Sequence, residues 1–223
     1  NNVCYNWRNR TTDGGTHQGQ FVNNYYKMGP ATTHTYLLTA DLEGTGKGSQ
    51  SYYVSGNIRE NRNGSLTTDK ENVTYRVNAE QKYDWDVFVD KPFFESYATI
   101  EPAKLAYKTT LSDVGCNQPF FDNHDTRMVK ETLTGTYTYK GNRTGYPGLI
   151  DKESDSEGFA GLNIVEEYRP ANYDTDQDGM PDWWEKKNGT DPNRDDAMTL
   201  KDGYAHIEHY INSIDRTYSQ PFL

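Results

Sequence analysis

Only two of the 223 residues are cysteine, Cys4 and Cys116. They are too far apart for a CxxC-type metal site, and a disulfide-framed small fold would need more of them. A single disulfide and two separately buried thiols both stay open at this point. The chain has no run of about 18 apolar residues, which excludes a membrane-spanning helix. Nor does it begin with Met or with a charged and then apolar leader; its opening NNVCYNW is what a mature terminus or a fragment would show. Positive charge is in deficit, 23 Lys and Arg against 33 Asp and Glu, for a formal charge of −10. Nucleic-acid backbones and anionic membrane surfaces both require a basic face, so neither is an expected partner. No glycine-rich phosphate loop and no GxSxG nucleophile turn occur. Apolar residues are also scarce, at 33% with a mean hydropathy of −1.00. Disordered chains share that scarcity but lack aromatics, whereas 18 Tyr, 8 Phe and 4 Trp are present here. The expectation is a folded, polar-surfaced, tyrosine-rich protein of the extracytoplasmic kind.

What is present begins with a loose repeat. NNVCYNW at 1–7, VNNYYKMG at 22–29 and VSGNIREN at 54–61 superimpose so that Asn2, Asn24 and Asn57 align. Each of these Asn residues precedes a β-prone residue: Val3, Tyr25 and Ile58. Short strands stacked layer upon layer, with Asn side chains hydrogen-bonded up the stack, would give this pattern, as in a parallel β-helix. A β-sandwich with Asn-rich turns is the alternative. GPATTHTYLLTADLEGTGKGSQ reads as a loop inserted in one layer. Further strands are expected in ENVTYRVNA, DWDVFVD, YATIEP and ETLTGTYTY, so that 1–169 reads as all-β.

From residue 170 to 223 the composition changes to an acidic loop with helices. In DTDQDGMPDWWE, Asp174, Asp176, Asp178, Asp182 and Glu185 stand at positions 1, 3, 5, 9 and 12, with Gly179 at position 6. Position 7, Met180, would offer its backbone carbonyl. This is the register of a twelve-residue calcium loop: alternate side chains of a tight turn point at one centre, and a hard cation takes six to eight oxygens there. Pro170 stands where an entering helix would run and Pro181 occupies position 8, so the loop is EF-hand-like rather than a true EF-hand. DWWEKKN reads as a short helix stopped by Gly189. GYAHIEHYINSI reads as a second helix with Asp202 as its N-cap and a stripe of Tyr204, Ile207, Tyr210, Ile211 and Ile214. A degenerate second loop at Asp191, Asn193, Asp195 and Asp202 lacks the glycine. The calcium is expected to be structural, since the loop's own ligands fill its shell and no base lies beside it.

Other chemistry-bearing residues are ambiguous. His206 and His209 lack a third ligand, and Asp84 and Asp86 fit an exposed strand. Asp122, His124, Asp125 and Arg127 read as a polar turn after a buried Phe pair.

VNNYYKMGPAT, YYVSGNIREN, TRMVKETLTGTYTY, GLIDKESDSEGF and the tail DTDQDGMPDWWEKKNGTDPN…DGYAHIEHYINSI together resemble the C-terminal half of a bacterial, Bacteroidetes-type pectate lyase-like protein of polysaccharide lyase family 1. The resemblance implies an all-β, right-handed parallel β-helix followed by the calcium-loop and helical tail. It implies a secreted, periplasmic or cell-surface protein acting on polygalacturonate by calcium-assisted β-elimination, with an arginine as base. In that family the arginine and the catalytic calcium ligands precede the segment matching NNVCYNW, so no catalytic residue is carried over. The missing N-terminal coils become an expected partner, and the chain alone is expected to be inactive. Arg8, Arg10 and Lys27 are candidates, by charge alone, to touch a bound uronate. The competing reading is a non-catalytic carbohydrate-binding or surface-interaction module with structural calcium.

Overall fold

A computed structural model describes residues 1–42, 50–116, 121–163 and 168–214. The chain divides into two compact units, residues 1–163 and 164–218 in their main spans. In chain order the first unit contains β1 (Val3–Tyr5), β2 (Thr12–Gly14), β3 (Gln18–Val22), β4 (Tyr25–Lys27) and β5 (Leu38–Asp41). There follow β6 (Ser51–Ser55), β7 (Ile58–Glu60), β8 (Leu66–Thr68), β9 (Tyr75–Asn78) and β10 (Phe88–Val89). Two helices complete it, α1 (Ala103–Ser112) and α2 (Asn123–Thr134), with 3-10 turns at Glu153–Asp155 and Gly158–Leu162.

All but one of the strand pairings described in this unit are parallel. β1 lies on β4 and β4 on β7, with Val3 opposite Tyr25 and Tyr25 opposite Ile58. β2 pairs with β5 and β5 with β9; β3 pairs with β6 and β6 with β10. The aligned Asn residues sit just before the first set and stack. Asn24 Oδ1 accepts from both the backbone N–H and the side-chain amide of Asn2, each at 2.9 Å. Asn57 Oδ1 likewise accepts from Asn24 N (3.0 Å) and Asn24 Nδ2 (2.7 Å). Asn57 Nδ2 donates onward to Phe21 O at 2.9 Å and to Asp69. Asn24 and Asn57 are buried, and burial is tolerable because every amide group finds a partner. Between the sheets, Leu38, Ala40, Tyr52 and Val87 form one apolar cluster and Trp7, Tyr26 and Leu37 another. Each such large side chain contributes about 1.5–3 kcal/mol on burial.

The all-β, right-handed parallel β-helix expected for 1–169 is overturned. Among the described residues the strands are two to five residues long and fall into separate small sheets, parallel and mixed, with no continuous solenoid. β8 runs antiparallel to β7, and Ala103–Ser112 and Asn123–Thr134 are helical. ETLTGTYTY is the main local error. Its first four residues are the last turn of α2, which begins under an Asp122 cap whose side chain accepts from Asp125 N and ends at Gly135 with φ +70°. Val129 and Thr132, three apart, bury on one face of that helix. The supposed insertion, residues 29–50, contains β5, whose Leu38 and Ala40 are core residues; residues 43–49 of it lie outside the described residues. YATIEP is exposed and forms no strand.

The second unit contains α3 (Asp182–Asn188), the antiparallel pair β11 (Leu200–Lys201) and β12 (Tyr204–Ala205), and α4 (His206–Ser213). Gly189, at φ +81°, stops α3 as expected. The cap of α4 is not Asp202: the helix begins four residues later, and Glu208 reaches back to accept from Ala205 N at 2.7 Å. Ile207 and Tyr210 pack on Met180, Trp184 and Ala197, while Ile211 and Tyr204 face solvent. No described helix is long and apolar enough to cross a membrane.

Candidate metal centre

The loop from Tyr173 to α3 is drawn closed by its backbone, Asp182 N donating to Tyr173 O at 2.9 Å. Gly179 adopts φ +96°, a conformation that side-chain-bearing residues rarely hold, and donates to Asp174 Oδ2 at 3.1 Å. Asp178 N donates to Asp176 Oδ1 (3.3 Å), and Met180 N donates to Asp178 Oδ1 (2.9 Å). These local bonds turn the alternate carboxylates inward. One oxygen from each of Asp174, Asp176 and Asp178 lies within 4.8 Å of the others, and the same holds for Asp178, Glu185 and Asp196.

The electrostatics point to a cation. Glu185 is 0% exposed, and neither of its carboxylate oxygens has a hydrogen-bond donor; Asp174 Oδ1 and Asp176 Oδ2 are also buried without one. Unpaired buried carboxylates cost several kcal/mol each unless neutralised. Burial, with Asp176, Asp178, Asp182 and Asp196 adding repulsion, pushes the Glu185 carboxyl up to about 7. Asp176 is shifted upward by burial and then by its acidic neighbours. A hard divalent ion removes both penalties, so the residues present fit one.

Of the six expected ligands, Asp174, Asp176, Asp178 and Glu185 fall in two adjoining clusters that share Asp178. The side chain of Met180 is fully buried in the core beside Trp184, anchoring the loop. Asp182 is engaged elsewhere: it accepts from Thr175 N at 2.8 Å and Thr175 Oγ1 at 2.9 Å, and pairs with Lys186 at 3.3 Å. The Thr175 N–H above all holds its carboxyl below the usual range. Asp196 was not foreseen. The degenerate second loop does not form a cluster: Asp191, Asn193, Asp195 and Asp202 are exposed, with Asp191 capping its own turn through Asn193 N.

In the first unit the three candidate cations each have protein partners. The Arg8 guanidinium lies 3.7 Å from the centroid of the Tyr146 ring. Arg10 is exposed and paired with Asp13. Lys27 Nζ donates to Leu133 O at 2.9 Å and stands 3.5 Å from Glu60, tying α2 to β4. A groove of about 550 Å³ runs between β1, α1 and α2, lined by Val3, Leu111, Val114, Met128 and Ile150 with Arg127 and Glu131. Arg127 pairs with Glu131 at 3.3 Å, and Asp125 accepts from Cys116 N at 2.8 Å. The sequence cluster at 122–127 is thus the start of a helix rather than an assembled acid–base site. Cys4 and Cys116 are not joined in a disulfide.

No protein-family model matches the chain. It is similar to curated proteins named probable pectate lyase C. One, from Neosartorya fischeri, is 28% identical over 222 residues, covering 96% of this chain and 47% of its own. Another, from Aspergillus flavus, is 30% identical over 220 residues with the same coverage, and a third, from Aspergillus fumigatus, is 28% identical over 221. The chain spans about half the length of these curated relatives. It is therefore pectate lyase-like in sequence over nearly all of its length, and these relatives are fungal.

Proposed function

We propose that the chain is part of a secreted, pectate lyase-type polysaccharide lyase, contributing a scaffold of parallel strands and, from residue 170 onward, a calcium-clasped tail. The observation that carries this reading is similarity across 96% of the chain to proteins named pectate lyase. The proposed substrate of the complete protein is an acidic plant cell-wall polysaccharide, polygalacturonate, cleaved by β-elimination. Bound calcium would supply a hard positive centre in the tail. Asp174, Asp176, Asp178 and Glu185 would hold it with the Met180 carbonyl, replacing carboxylate repulsion with ligation. Its role in the tail is structural, because the charges it neutralises are the loop's own. Arg8 and Arg10 remain the cations proposed to meet a uronate; Lys27, neutralised by Glu60, is the weakest of the three.

The test is incubation of the full-length gene product with polygalacturonate and calcium, followed by ultraviolet absorbance of unsaturated oligosaccharides. Product should accumulate, and the 1–223 chain alone should form none. A folded full-length protein that retains polygalacturonate without cleaving it would replace the lyase reading with that of a binding module.

A further inference from the structure

We propose that Asp196, which lies outside the twelve-residue loop, is a ligand of the cation held there, and that His206 is its positioning residue. The inference rests on the calcium reading above. One oxygen of Asp196 lies within 4.8 Å of ligand oxygens of both Asp178 and Glu185. The position is built rather than incidental. Asp196 N donates to Asp178 Oδ2 at 3.3 Å, and Thr199 N donates to Asp196 O at 2.8 Å, fixing the turn against the loop. The Asp196 carboxylate is 2.9 Å from His206 Nδ1, and the two side chains are only 10% and 13% exposed.

Two observations make this carboxylate more than one member of an acidic cluster. Glu185, fully buried, has two unpartnered oxygens, one of them within 4.8 Å of carboxylate oxygens of Asp178 and Asp196, and the ligand that the loop register assigns to position 9 is committed elsewhere, with Asp182 held by Thr175 and Lys186. A cation bound to Asp174, Asp176, Asp178 and Glu185 therefore takes a remaining protein oxygen from Asp196. With a carbonyl from position 7, this set falls within the six to eight oxygens that calcium accepts. An imidazole that hydrogen-bonds and orients a ligating carboxylate is a recurrent device, and its loss typically weakens metal binding 10- to 100-fold. The consequence is that the ion joins the loop to the turn before β11 and, through His206, to the first residue of α4.

The experiment is calcium titration calorimetry on the 1–223 chain and its variants, with far-ultraviolet circular dichroism as a check of folding. Wild type should bind calcium. D196N should lose at least tenfold in affinity, and H206Q roughly tenfold. D182N should bind within about twofold of wild type while melting at a lower temperature with or without calcium. Absence of binding by wild type overturns the calcium reading itself. Binding by wild type with D196N unchanged overturns this inference alone, and a D196N loss with H206Q unchanged overturns the role of His206. Should D196N fail to fold, H206Q against D182N decides: equal affinities overturn the inference, and a selective loss in H206Q sustains it.

Discussion

Asn57 shows how much one polar side chain can carry. It is 0% exposed, accepts two bonds from Asn24 and donates to Phe21 O and Asp69. Replacing it with Leu strands the Asn24 donors and the Phe21 carbonyl, each costing about 1–3 kcal/mol when buried. Asn57→Leu should therefore lower unfolding free energy by roughly 3 kcal/mol or more in urea titrations, whereas Asn63→Ala, at an exposed turn, should leave it nearly unchanged. Gly56 is comparably constrained: it holds φ +74°, and a Cβ there would collide with Asn23 Oδ1. Asp151 and Asp155 set a pH dependence. Backbone N–H groups of Thr144 and Arg143 hold the first below its ordinary value of 3.8, and those of Asn142 and Asp151 hold the second. Their contribution is present above pH 3.8 and lost as pH falls through the depressed values. Acid unfolding of the wild type should therefore show a component below that pH which the D151N/D155N variant lacks. The aligned Asn residues were legible in the sequence because identical side chains recur beside β-prone neighbours. Asp196 was not, because Asp195 beside it looks the same and only folding separates them.

At the level of elements, α2 shows why local pattern misled. MVKETLTGTYTY contains enough Thr and Tyr to read as a strand, yet an Asp cap at one end and a left-handed Gly at the other enclose twelve helical residues. Capping chemistry outweighed β propensity, assisted by the Lys27 bond to Leu133 O near the C-terminus of the helix. Asp122→Ala should cost about 1 kcal/mol, seen as a lowered denaturation midpoint. α3 was legible for the opposite reason: its helix formers and its Gly189 stop agree. The acidic loop lay between these cases. Its alternation and Gly179 revealed the turn, but the register gave no sign that Asp182 would close onto Thr175 rather than face the centre.

For the whole molecule, the testable quantity is the response to calcium. With four buried carboxylate oxygens lacking donors, the tail carries a charge imbalance that ligation would relieve, so chelation should lower the melting temperature of the native protein. D178A/E185A should abolish that sensitivity. Equal melting of chelated and calcium-loaded wild type would remove the loop from consideration as a metal site. The helical content between 103 and 134 was invisible to a repeat-based reading, because that segment takes no part in the repeat.

The parallel strands keep common registers while the chain between them varies in length. Val3 faces Tyr25 and Tyr25 faces Ile58, although the intervals are 22 and 33 residues (25 − 3 and 58 − 25). Gln18 faces Ser51 after 33, and Tyr52 faces Phe88 after 36 (51 − 18 and 88 − 52). Alignment here is enforced at the strands and at Asn2, Asn24 and Asn57, so connecting segments can lengthen at only a small loop-closure penalty. Such a chain can acquire new surface loops by insertion without re-registering its core, a route by which one scaffold diversifies what it touches.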